Sequence, residues 1–263
     1  MLLNISHRTV YSYDTPVVYA LQRVRLSPQS GATQDVLNWA VDIAGAQEEV
    51  RFSDHFGNKT KLLSVSGTPH IEIRAGGAIE VRDTQGVTGA HTSPAPLWLF
   101  QGHTALTSPG PLITDLAKAV EGKGDIDRLH NLAAMIAERV SYTTGSTDAT
   151  TAAEDALLQG QGVCQDHAHI FLSAARTLGY PARYVSGYLL IDGQTEQVAT
   201  HAWAEAHVDG LGWLAFDVSN GISPDGRYVR LATGRDYRDA MPISGIRLGQ
   251  AQEMLDVHIT VEQ

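Results

Sequence analysis

The chain has 263 residues, with 19 Lys and Arg against 29 Asp and Glu and hence a formal charge of −10. A hydrophobic fraction of 43% with 18% charged residues belongs to a folded globular chain and argues against wholesale disorder. The acidic balance speaks against non-specific binding to nucleic acid or anionic membranes, and the single cysteine excludes an intrachain disulfide framework and any Cys-rich zinc module.

The N-terminal MLLNISHRTV lacks a basic segment followed by an apolar one, and no apolar run approaches the ~18 residues of a membrane span. The expectation is a cytoplasmic protein. Residues 1–85 read as strands: LLNISHRTVYSY alternates at period two, and VVYALQRVRLS, VLNWAVDIA, EVRFSD, TKLLSVSG and HIEIRAGGAIEVR follow. Turn residues such as Asp14-Thr15-Pro16 and Gly67-Thr68-Pro69 separate them, which suggests an antiparallel sandwich. Residues 86–111 hold four Pro and four Gly without a period and read as a linker or a strap over a neighbour.

From 112 the period becomes helical. Ile126, Leu129, Leu132, Ala133, Ile136 and Val140 fall on one face, and Thr151 before Glu154 fits a capping box opening a short helix, AAEDALLQ. A further helix begins near Cys164 and stops at Gly179-Tyr180-Pro181. Period two then returns in ARYVSGYLLI, THAWAEAHV, WLAFDVS, RYVRLAT and MLDVHITV. The whole reads as an α+β protein: a β-sandwich over 1–85, a linker over 86–111, and helices packed on an antiparallel sheet over 112–263.

Cys164 follows Gly160-Gln161-Gly162-Val163 and opens a helix. The unpaired N–H groups and macrodipole there favour a negatively charged sulfur, and the glycines leave it accessible. Asp166 opposes that charge, so a cationic partner is wanted. His201 is the candidate, since His201, Trp203, Glu205 and His207 share one face of a strand and Ala202, Ala204, Ala206 and Val208 the other. A three-residue hairpin loop would pair Val208 with Gly212, set Asp217 across from Trp203, and make His201 and Asp217 diagonal neighbours on one face. A loop of two or four residues would put Asp217 on the opposite face. In this arrangement Asp217 orients His201, and His201 takes and returns the Cys164 proton. The Cys164 N–H is the first candidate oxyanion donor, with Gln159 or Gln161 as the second. Trp203 and Trp213 are candidates to shield the His–Asp pair, and Tyr184 or Tyr188 to line the cleft, although packing explains all four.

These segments resemble the transglutaminase-like superfamily of papain-like fold, especially bacterial members with an N-terminal β domain, often called candidate cysteine proteases. The resemblance is carried by GQGVCQDHAHIFLSAARTLGYPARYVSGYL at 160–189, HAWAEAHVDGLGWLAFDVSNG at 201–221, GRDYRDAMPISGI at 234–246, and the leading ISHRTVYSYDTPV and DHFGNKT. It implies a nucleophile at Cys164, a base at His201 and an orienting acid at Asp217. It also implies a papain-like core and acyl transfer from a peptide or protein amide through a Cys thioester. Hydrolysis follows if water resolves the thioester, transamidation if a primary amine does. One departure is Val218-Ser219, where the family usually has Pro-Thr, which would relax the turn after Asp217.

Two rivals are weaker. A metal site would need Cys164 with His167, Asp166, His169, His201 or His207, but His167 and His169 lie about 200° apart on a helix. A non-catalytic peptide-binding scaffold would have no use for all three residue types. The reading therefore calls for a thiol-dependent amidase or peptidase, with no cofactor, no metal, no nucleic acid and no membrane partner.

Overall fold

The computed structural model describes residues 1–263. The first six strands are β1 (Leu2–Tyr13), β2 (Tyr19–Ser27), β3 (Gln34–Ala44), β4 (Gln47–Ser53), β5 (Lys59–Val65) and β6 (His70–Val81). The alternation of β1 is realised: Leu3, Ile5, His7, Thr9, Tyr11 and Tyr13 are buried on one face. They meet Val24, Leu26, Leu63, Ile71 and Ile73 in a core between two sheets. Next come β7 (Val87–Gly89), α1 (Pro111–Ala119), α2 (Asp125–Arg139), β8 (Ser141–Tyr142), α3 (Ala153–Gln159), β9 (Gln161–Gly162) and α4 (Cys164–Thr177). The chain ends with β10 (Ala182–Leu189), β11 (Glu196–Gln197), β12 (His201–Val208), β13 (Gly212–Phe216), β14 (Tyr228–Gly234), α5 (Tyr237–Ala240), β15 (Ile243–Leu248) and β16 (Glu253–Glu262).

The fold is α+β, and its sheets redraw the division anticipated from the sequence. The sandwich sheets run β11-β16-β1-β6-β3 and β15-β2-β5-β4. The last two strands thus return to the N-terminal half, β16 pairing antiparallel with β1 and β15 with β2. A unit spanning 112–263 is not what the strands form, because 243–262 complete the sandwich. The linker is also more than a connection. Its β7 is an edge strand of the second sheet, ordered β14-β10-β12-β13-β7, and Phe100 from its 3-10 turn is fully buried against Trp213. Its helix-facing end is clamped by Glu154, whose carboxylate accepts from the N–H groups of Gly110, Leu112 and Ile113 at the start of α1. The expected capping box at Thr151 does not form. The N-cap of α3 is Ala152, and Glu154 satisfies the open amides of its neighbour instead.

α4 is the centre of the second half. Ile170, Phe171, Leu172, Ala174 and Ala175 have no exposed surface, and their core includes Ala202, Ala204 and Ala206 of β12. Three alanines in alternation give β12 a shallow face, so the helix can lie close and its first residue reaches the end of the strand that carries His201.

Candidate active site

The β12–β13 hairpin settles the register. Val208 pairs with Gly212, His207 with Trp213 and Ala204 with Phe216, so the next position brings Asp217 opposite Trp203. His201 and Asp217 therefore share a face, and the His201 Nε2–H donates to Asp217 Oδ2 at 2.6 Å. Cys164 is the other group that favours the charged imidazole, and since Nε2 serves Asp217, Nδ1 is the nitrogen left for the sulfur. Cys164 is the first residue of α4 and partly exposed, so its own N–H has no partner within the helix. The three predicted residues come together from a helix start, a strand start and the end of the adjacent strand.

Burial disfavours the charged form of His201, but its hydrogen bond to Asp217 and the influence of Asp217 and Cys164 outweigh this and push the imidazole up to about 10. Asp217 is 1% exposed, and burial acts to raise its carboxyl. The bonds from His201, Ser219 and Asn220 prevail and hold it well below the usual carboxylate range. Oδ2 also accepts from the Tyr228 hydroxyl at 2.8 Å and Asn220 Nδ2 at 2.7 Å, while Oδ1 accepts from Ser219 Oγ at 2.7 Å and the Asn220 N–H at 3.2 Å. A carboxylate with five donors is fixed in place and kept ionised.

Asp166 has another task than perturbing the thiol. Its Oδ2 accepts from the Val163 N–H at 2.8 Å and the Thr147 hydroxyl at 2.6 Å, bracing the turn before Cys164. Burial raises its carboxyl despite these bonds. Gly162 is required there, because a Cβ would stand 2.7 Å from that of Asp166. Gly187, paired with His201, is required for a similar reason: a Cβ would lie 2.1 Å from the Val229 carbonyl and 2.5 Å from the Trp203 ring.

Of the aromatic candidates, Trp203 lies beside His201 with ring centroids 6.3 Å apart, and Tyr228 packs against both rings, 5.9 Å from His201 and 5.5 Å from Trp203. Trp213 is elsewhere, packed on Phe100 and under Arg183. Tyr184 is buried near His169 and Tyr237, and Tyr188 is in the sandwich core with its hydroxyl on His7 Nδ1. Gln159 and Gln161 are both exposed. The other histidines have separate settings. His167 has a carbonyl at each ring nitrogen, Val163 and Val140, and His169 Nε2 accepts from the Tyr237 N–H. His207 packs against Trp213.

Residues 114–218 match the transglutaminase-like superfamily, and residues 3–80 match the bacterial transglutaminase-like N-terminal region. The chain belongs to the transglutaminase-like superfamily. An uncharacterized protein of Mycobacterium leprae (strain TN) is 29% identical over 277 residues, covering 98% of this chain and 98% of that one. An uncharacterized protein of Mycobacterium tuberculosis (strain ATCC 25618 / H37Rv) is 29% identical over 289 residues, covering 98% of this chain and 91% of that one. Among solved structures, a candidate cysteine protease from Cytophaga hutchinsonii superposes with a TM-score of 0.79 at 22% identity, covering 100% of this chain and 90% of that one. That likeness shows a shared fold over the whole of this chain. No helix is long and apolar enough to cross a membrane.

Within this transglutaminase-like fold, the Val218-Ser219 departure does not loosen Asp217. A two-stranded bridge between Asp217 and Ile222 closes the turn, and Ser219 and Asn220 bind the carboxylate directly. Ser219, Asn220 and Tyr228 were not singled out from the sequence. Asx-type turn composition after Asp217 carried a signal for the first two. Tyr228, on β14, carried none. Tyr142 also went unmarked: it stacks on His167, and its hydroxyl is raised by burial first and then by the nearby Cys164 and Asp217. The GRDYRD segment acquires a structural role. Asp236 caps α5 through the Arg238 and Asp239 N–H groups, and the Arg235 carbonyl accepts from Arg176 at the end of α4.

Proposed function

We propose that Cys164, His201 and Asp217 act as nucleophile, acid–base and orienting acid in a thiol-dependent acyl transfer that cleaves an amide or peptide bond. The observation that carries this is the His201 ring, hydrogen-bonded to a buried carboxylate that has five donors and close enough to Cys164 for the sulfur to favour its charged form. Sγ attacks the amide carbonyl carbon, and the negative oxygen is met by the Cys164 N–H at the helix start. The C–N bond then breaks, His201 delivers its proton to the leaving amine, and a thioester remains on Cys164. Water adds to the thioester with His201 taking its proton. The C–S bond breaks, a carboxylic acid leaves, and the free Cys164 sulfur beside a protonated His201 is restored. A primary amine in place of water would give a new amide by the same steps. The substrate in this reading is a peptide or protein amide.

The test is mass spectrometry of the full chain mixed with a library of glutamine-containing peptides, with and without a fluorescent primary amine. An acyl adduct on Cys164, absent in Cys164→Ala, supports the reaction; release of acid against incorporation of amine assigns the acceptor. No adduct and no turnover with any peptide, while Cys164 still reacts with iodoacetamide, would refute it.

A further inference from the structure

Between the two halves of the molecule lies a second concave site, of about 280 Å³, that none of Cys164, His201 and Asp217 lines. Its walls come from residues 29–34 and 56–58 of the sandwich, 88–94 of the strap, and β10 and β14 of the second sheet. Only five of its 19 lining residues are hydrophobic, and its only charged ones are Arg183 and Arg230. The size is near the lower end of small-molecule sites, about 300–1,000 Å³.

The charges do not balance. Glu205, fully buried behind the cavity, accepts from Arg230 through both Nη1 and Nη2 and from Arg183 through Nε alone. Two guanidinium groups and one carboxylate leave one positive charge, and the surplus falls on Arg183. That residue is 9% exposed, with its guanidinium carbon 4.0 Å from the centre of the Trp213 ring. Its Nη1 and Nη2 have no protein acceptor, although they carry the paired donors best suited to bind an oxyanion. That edge opens onto the cavity, where an anion would complete the charge balance.

We infer that this cavity binds a small polar compound through a single carboxylate, which docks on the Nη1 and Nη2 edge of Arg183. Several features select the ligand class. A planar carboxylate matches the guanidinium fork in a bidentate pair. One negative charge neutralises the site, whereas a phosphate dianion would leave an excess negative charge next to Glu205. The threonines at 33, 88 and 92 offer hydroxyl-lined walls to the uncharged remainder. The walls are set before any ligand arrives: Gln34 is tied to Arg230 by donating to its carbonyl and accepting from its N–H, and Asn58 does the same with Thr233.

The experiment is an NMR titration of the full chain with N-acetylglycine, following the Trp213 indole N–H, which is identified by its loss in Trp213→Phe. N-acetylglycinamide and inorganic phosphate serve as comparison probes. A saturable shift is expected with N-acetylglycine, weakened at least tenfold for the amide and for phosphate. Arg183→Gln should abolish it. Ala90→Phe, at an exposed lining position, should also abolish it without touching the ion cluster, so a folding defect in Arg183→Gln does not decide the matter. An equal response to the amide, tighter binding of phosphate, no saturable shift with any probe, or a response that survives Ala90→Phe each overturns the assignment.

Discussion

Replacing Asp217 with Asn tests the candidate triad without needing its substrate. The amide is isosteric but offers one acceptor where the carboxylate offers two. With Nδ2 at the Oδ2 position it would confront His201, Asn220 Nδ2 and Tyr228, all donors. With Nδ2 at the Oδ1 position it meets Ser219 Oγ, which can turn to accept, and only the Asn220 N–H opposes it. The second orientation wins, so His201 keeps a hydrogen bond but loses the charge opposite it. An opposite charge at this range shifts a titration by about 1–3 pH units, at about 1.4 kcal/mol per unit. Burial then pulls further in the same direction. The His201 ring, held up to about 10 in the native protein, should titrate lower by that amount in Asp217→Asn. Imidazole 15N shifts over a pH series report this directly, with the signal identified by its loss in His201→Ala. Alkylation of Cys164 by iodoacetamide at neutral pH should slow in parallel. An unchanged His201 titration with unchanged alkylation would show that Asp217 does not hold the imidazolium, and the proposed division of roles would fail.

The same pair sets a pH window for stability. His201 is raised, so its contribution is whole below about pH 6.5 and is lost as pH climbs through about 10. Asp217 is depressed, so its contribution is whole above about pH 3.9 and is lost on acidification below that. Urea unfolding of wild type and Asp217→Asn should therefore differ most between about pH 4 and 6.5 and differ less toward pH 10, where the His201 part is lost; a gap that widens with alkalinity contradicts the assignment. Glu205→Ala strands two guanidinium groups in a buried site and should cost about 3–5 kcal/mol, a fall in Tm on the order of 10 °C by calorimetry. Glu154→Ala removes the clamp on α1 and should cost about 2 kcal/mol. Hydrogen exchange should accelerate at Leu112 and Ile113 while the His201 titration stays unchanged.

The candidate residues were legible because each sits in a local pattern with a short-range consequence. Glycines followed by Cys164 mark a helix start, the alternation from His201 to Val208 assigns a face, and the distance from Val208 to Gly212 sets the hairpin register on which Asp217 depends. Neighbours in sequence decide all of that. The support around Asp217 was legible only in part: Ser219 and Asn220 are close in the chain, but Tyr228 arrives from β14, a strand that is not adjacent to β13 in the sheet.

The sequence by itself determined the class of the fold, the order of its β and α segments, and the three residues of the candidate site, because periodicity and turn chemistry act over a few residues. Only the tertiary structure decided that the final strands close the first sandwich, that Glu154 caps a helix other than its own, and that Arg183 faces a cavity with a charge unanswered. Each of these rests on pairing or charge balance between distant segments. No local pattern encodes them, since the free energy belongs to the contact and not to either segment alone.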